Sequence, residues 1–84
     1  MTYQDITLEQ KDAITVITLN RPASLNALTP LMIQELKHAF TSIAADTNCK
    51  IVILKGAGRA FSAGVDLKAM NESLVGGQFT QYQI

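Results

Sequence analysis

The run Gly58-Arg59-Ala60-Phe61-Ser62-Ala63-Gly64-Val65-Asp66-Leu67-Lys68 leaves a strand-like apolar stretch and opens what reads as a helix at Asp66. The chemistry it could do belongs to its backbone. With only hydrogen or methyl at Gly58, Ala60, Ala63 and Gly64, a flat or bulky group can come close to peptide N–H donors. A helix start just beyond adds unpaired N–H groups and a partial positive end, which favour an oxygen carrying negative charge. Asp66 is placed to cap that helix through its carboxylate.

Other motifs carry less. Gly56-Ala57-Gly58 after a strand invites comparison with the dinucleotide fingerprint G-x-G-x-x-G, but its third position is Phe61, and no Lys-Ser or Lys-Thr follows as a phosphate loop requires. Ser62 lacks the glycine two places before it that makes a nucleophile elbow, so it reads as a small loop residue. His38 is the single histidine, solvated on a helix, with no second ligand at metal-site spacing. Glu35 falls in the polar stripe of that helix, and Glu72 has no paired acid at a defined spacing, so neither reads as a general acid or base. Arg21 and Pro22 read as a strand end and a turn.

The elements that must position the loop follow from pattern. Ile6–Gln10 and Ala13–Leu19 are strand-like runs around the turn Lys11-Asp12, hence a hairpin. In the second, Ile14, Val16 and Thr18 alternate with Thr15, Ile17 and Leu19, which predicts burial on both sides. Asn20-Arg21-Pro22 stops it. Thr29-Pro30 is an N-cap followed by proline at the first helical position. From there Ile33, Leu36, Phe40 and Ile43 form an apolar stripe opposite Gln34, Glu35, Lys37, His38, Thr41 and Ser42, predicting a helix to about Ala45. Ile51–Leu54 is a continuous apolar run, predicted to be a strand covered on both faces and parallel to its predecessor through a right-handed crossover. Beyond Asn71 the pattern fades, Gly76-Gly77 breaks the chain, and no internal repeat is present.

With 84 residues the chain is one unit at most, and a composition 48% hydrophobic and 17% charged fits a globular protein. Seven basic and seven acidic residues cancel, which removes the electrostatic footprint of a nucleic-acid binder. No stretch is long and apolar enough to cross a bilayer, and the first five residues lack the features of a signal peptide, so the expected compartment is the cytoplasm, without membrane partners. Cys49 stands alone and reads as an inert structural thiol.

Two segments in order, Asn20-Arg21-Pro22-Ala23-Ser24-Leu25-Asn26-Ala27-Leu28 and Ala60-Phe61-Ser62-Ala63-Gly64-Val65-Asp66-Leu67, resemble the opening of an enoyl-CoA hydratase/isomerase (crotonase) family protein. The resemblance implies an α/β chain, the N-terminal fragment of a crotonase-like (ClpP/crotonase) spiral fold, with a hairpin and a strand-helix-strand crossover. Residues 1–84 would then be one incomplete domain. It further implies an acyl-CoA thioester as substrate, coenzyme A as part of that substrate with no separate cofactor or metal, and a parent that assembles as a trimer or dimer of trimers. By the same resemblance Val65 offers its N–H to the thioester oxygen as one of two oxyanion donors, while Ala23, Leu25, Ala60, Ser62, Ala63, Gly64, Asp66 and Leu67 line the coenzyme groove. For Leu25 a purely structural role in the turn after the strand is an equal reading, since pocket walls are mostly apolar in any case. The hydratase carboxylates and the second donor lie downstream in such proteins, so the chain alone is expected to be inactive. Two readings stand beside this one: a non-catalytic assembly module, and a small nucleotide-binding α/β domain that the broken glycine pattern disfavours.

Overall fold

A computed structural model describes residues 2–75 of the chain, so the expected break at Gly76-Gly77 lies outside the described residues. Strand β1 (Ile6–Lys11) and strand β2 (Ile14–Leu19) pair antiparallel, with Lys11 opposite Ile14 across a two-residue turn. Asp12 takes the left-handed conformation there (φ 56), which aspartate tolerates better than most side chains. After a short 3-10 turn at Pro22–Ser24 come helix α1 (Pro30–Ala44), strand β3 (Ile51–Gly56) and helix α2 (Leu67–Val75). β3 lies parallel to β2, giving the order β1-β2-β3 and the expected strand-helix-strand crossover.

The start of α1 is set locally. Thr29 is extended, its Oγ1 accepts the Met32 N–H at 3.1 Å, and Pro30 fills the first turn, where an N–H would have had no partner. Its inward face differs from the apolar stripe of the sequence. Met32, Glu35, Ala39 and Ile43 are buried and Leu36 half-buried, while Ile33 and Phe40 are exposed. The reason is a carboxylate that backbone donors require. Gln4 and Asp5 enter β1 with N–H groups that no strand receives, and Glu35 accepts both, at 2.6 and 2.8 Å. Buried N–H groups must find acceptors, so the helix turns Glu35 inward although it is charged. Asp5 completes this corner by accepting the Thr29 hydroxyl at 3.2 Å and the Asn20 N–H on its carbonyl at 2.8 Å.

The core of Ile6, Ile17, Leu19, Met32, Ala39 and Ile43, flanked by Tyr3, Leu8, Leu28, Leu36 and Cys49, sits between α1 and one face of the hairpin. Two expectations about burial are corrected by this placement. β2 is buried on the Thr15, Ile17, Leu19 face only, its other face being half-buried at Val16 and Thr18 and exposed at Ile14. Ile51, Val52, Ile53 and Leu54 of β3 are exposed on both faces, because α1 packs over β1 and no described element covers β3. His38 is exposed as expected, with Nδ1 2.8 Å from the Tyr3 hydroxyl. Cys49 is half-buried, its Sγ 3.3 Å from Thr15 Oγ1.

The helix rotation makes a stability prediction opposite to the pattern reading. In the 84-residue chain, Glu35→Ala strands two backbone donors and should lower unfolding free energy by about 1–3 kcal/mol or more. Phe40→Ala removes an exposed ring and should change it by less than about 0.5 kcal/mol. Urea unfolding of both variants checks the order, and a larger loss for Phe40→Ala would contradict the helix face described.

Candidate active site

Because β2 and β3 are parallel neighbours, with Leu19 opposite Gly56, their exit loops leave the same end of the sheet. That end is where ligands gather in sheets of this kind. The first loop, residues 20–29, carries two consecutive non-glycine residues in the left-handed region, Leu25 (φ 53) and Asn26 (φ 55). For leucine such a conformation costs about 1–2 kcal/mol, so it persists only where other contacts demand it.

Asn26 supplies them. It is fully buried; its Oδ1 accepts the Arg21 N–H at 2.8 Å, and its Nδ2 donates to the carbonyls of Ala57 at 2.8 Å and Ala60 at 2.9 Å. One amide orientation fits this arrangement, since the flipped one would face nitrogen to a donor and oxygen to two acceptors. Its backbone N–H bonds Arg21 O at 2.9 Å, and its carbonyl accepts the Ser62 hydroxyl at 2.8 Å. Arg21 reinforces the turn by donating from Nη1 to the Ala27 carbonyl. In the sequence alone Asn26 carries no assigned role, and Arg21 reads as a strand end. The only trace available was an arginine and an asparagine five residues apart around a proline.

The second loop, residues 57–66, is laced to the first. Ala63 N–H donates to Leu25 O at 2.9 Å, Leu28 N–H to Gly64 O at 2.8 Å, and Asp66 N–H to Leu28 O at 2.8 Å. The last two bonds form an isolated parallel bridge between Leu28 and Val65. In that geometry Leu28 uses both its N–H and its C=O, while Val65 turns both of its own away. Among the described residues the Val65 N–H has no hydrogen-bond partner. Asp66 caps α2, Oδ1 accepting the Ala69 N–H at 3.0 Å, as its position predicted.

The expected site residues therefore gather, with differences among them. Leu25, Ala60, Ser62, Ala63, Gly64 and Asp66 all take part in bonds that tie the loops or shape them. Val65 and Leu67 are exposed beside these, and Ala23 is exposed on the outer 3-10 turn. Ser62 Oγ donates to Asn26 O and accepts the Gly64 N–H at 3.0 Å, in keeping with a loop residue. The glycines have structural reasons of their own. A Cβ on Gly56 would collide with the backbone of Ala60 and Phe61, which fold back over the strand end. One on Gly58 (φ 78) would press on Pro22, and Gly64 has open space around it but a φ of 93 that side chains rarely adopt. An open apolar pocket of about 410 Å³ is lined by Leu19, Leu28, Leu36, Leu54, Phe61, Ser62 and Gly64. Among the described residues no group of three His, Cys, Asp or Glu side chains is placed to hold a metal ion, and no helix is long and apolar enough to cross a membrane.

Two loops at the carboxyl ends of parallel strands, cross-braced by backbone bonds that leave the Val65 N–H without a partner among the described residues, belong to an α/β fold. Residues 14–83 match the family described as enoyl-CoA hydratase/isomerase, and the chain belongs to that family. It is 42% identical over 74 residues to a probable 3-hydroxyisobutyryl-CoA hydrolase of Arabidopsis thaliana, an alignment covering 88% of this chain and 20% of that protein. Over 80 residues it is 38% identical to a probable enoyl-CoA hydratase of Mycobacterium bovis, covering 95% of this chain and 31% of the other. An enoyl-CoA hydratase/isomerase crystal structure from Xanthobacter autotrophicus Py2 superposes with a TM-score of 0.80 at 45% identity, over 87% of this chain and 27% of that one. The crotonase-like fold expected from the two motifs is thus the observed one. The chain spans about a fifth to a third of the length of these curated relatives.

The buried amide of Asn26 supplies the test of this geometry. Asn26→Asp conserves shape, left-handed tolerance and the acceptor to Arg21, but sets oxygen against two carbonyls. Unfolding free energy should fall by about 2 kcal/mol or more. A change below about 0.5 kcal/mol would mean that the loops hold together without this cross-link.

Proposed function

We propose that the paired loops bind the thioester end of an acyl-CoA and that the Val65 N–H donates to the thioester oxygen as enolate-like charge builds on it. The observation that carries this reading is the Leu28–Val65 bridge, which spends the backbone groups on either side of Val65 and leaves its N–H facing out. A donor held in place before the reaction costs no reorganisation when charge develops, and is worth about 3 kcal/mol. Being a main-chain group, it needs no particular side chain. The valine side chain narrows whatever acyl space lies in front of it.

On this reading the substrate is an acyl-CoA thioester, with coenzyme A bound as part of it along Ala23, Leu25, Ala60, Ser62, Ala63, Gly64, Asp66 and Leu67. The reaction is hydration or double-bond isomerisation next to the thioester carbonyl. General acid and base are assigned to residues outside these 84: Glu35 is committed to Gln4 and Asp5, and Asp66 to its cap. The exposed apolar faces of β3 suit coverage by the remainder of a longer domain, itself part of a homo-oligomer.

The test removes the donor and nothing else. In the full-length protein containing these residues, replacing Val65 by its α-hydroxy analogue turns the Gly64–Val65 amide into an ester without the N–H. kcat on a 2-enoyl-CoA should fall about 100-fold to 1000-fold, with KM little changed. Val65→Ala keeps the donor and should retain most activity. Unchanged turnover in the ester variant would refute the assignment.

A second reading, thioester hydrolysis, is favoured by the 42% identity to a protein named as a hydrolase. Both reactions place charge on the same oxygen, so the loop serves either. The full-length protein given a 2-enoyl-CoA and a 3-hydroxyacyl-CoA separates them. Loss of the conjugated double bond without thiol release is the expected result, and release of free coenzyme A thiol would establish the hydrolase.

A further inference from the structure

We propose that the Arg21–Asp66 ion pair positions the Val65 N–H, an inference that rests on the oxyanion reading above. Arg21 Nη1 lies 3.6 Å from Asp66 Oδ2, the two side chains being 22% and 24% exposed. The same Nη1 donates to the carbonyl of Ala27, and Nη2 is 3.5 Å from Ser24 Oγ. Ala27 immediately precedes Leu28, and Asp66 immediately follows Val65, so one rigid guanidinium grips both strands of the Leu28–Val65 bridge. Asp66 is engaged on every side: its N–H bonds Leu28 O, its Oδ1 caps α2 at Ala69, and its Oδ2 faces Arg21. The peptide carrying the Val65 N–H is therefore held between Gly64, whose carbonyl is fixed by Leu28, and a residue fixed by four partners, the Met70 N–H donating to the Asp66 carbonyl as well.

Magnitudes decide where such a pair should act. A partly exposed ion pair adds little to stability. Aim is different, because a donor or reacting group displaced by about 1 Å can cost about 100-fold in rate. The pair's effect belongs in turnover rather than in the folded fraction.

Asp66→Asn isolates the ion pair, since the amide oxygen can still accept the Ala69 N–H and asparagine caps as well as aspartate. In the full-length enzyme it should lower kcat roughly 10-fold to 100-fold, with KM within about twofold and the unfolding midpoint little changed. Arg21→Met should give a similar loss, and the double variant should not sum the two. In the Val65 ester background, which has no donor to misaim, Asp66→Asn should cost nothing further. Unchanged kcat for Asp66→Asn, additive losses in the double variant, or an equal loss with and without the Val65 N–H would overturn the positioning role while leaving the oxyanion reading intact. An ester variant with normal turnover overturns the oxyanion reading itself, and this inference with it.

Discussion

The buried carboxamide of Asn26 holds the loop end of this molecule together, because it is where two loops distant in sequence satisfy one another's backbone. Its oxygen takes the N–H of Arg21 and its nitrogen serves two carbonyls of the second loop, Ala57 and Ala60. A fully buried amide is costly unless all its groups are paired, and here they are. The bonds from Ala63 to Leu25, and between Leu28 and the residues flanking Val65, run on from that anchor. The left-handed turn at Leu25-Asn26 is the cost of placing the amide inside, offset by the bonds it makes.

The same economy explains the small residues. Gly56 admits the returning backbone of Ala60 and Phe61, Gly58 lies against Pro22 with a positive φ, and Gly64 supplies the φ from which Val65 departs. Each serves the fold before any ligand arrives. The backbone N–H of Val65 has no partner among the described residues, and its neighbours' own groups are already committed. On the proposed reading a main-chain donor so placed would serve hydration and thioester hydrolysis alike, and proteins of both names are among those this chain resembles.

Burial is uneven in a way that belongs with length. The hairpin and α1 enclose one small core, while β3 carries four apolar residues exposed on both faces. Parallel strands ordinarily have both faces covered. A chain spanning about a fifth to a third of its relatives' length has fewer elements with which to cover them.

The sequence by itself determined what depends on neighbours a few residues apart. The hairpin, the Thr29-Pro30 start of α1, the Asp66 cap and the strand-helix-strand order all follow from local turn, cap and periodicity rules and are observed, the hairpin turn falling at Asp12-Ala13, one residue later than Lys11-Asp12. The two motifs also led to the family and to the loops that meet. Tertiary structure alone decided the rest, because it rests on partners far along the chain. Glu35 is buried for the N–H groups of Gln4 and Asp5, 31 and 30 residues away, against a pattern that placed it in water. Asn26 reaches Ala57 and Ala60 across 31 and 34 residues. Periodicity reports which face of an element is apolar, but a buried polar group is chosen by the unpaired donors and acceptors it meets, and those are known only once the chain has folded back on itself.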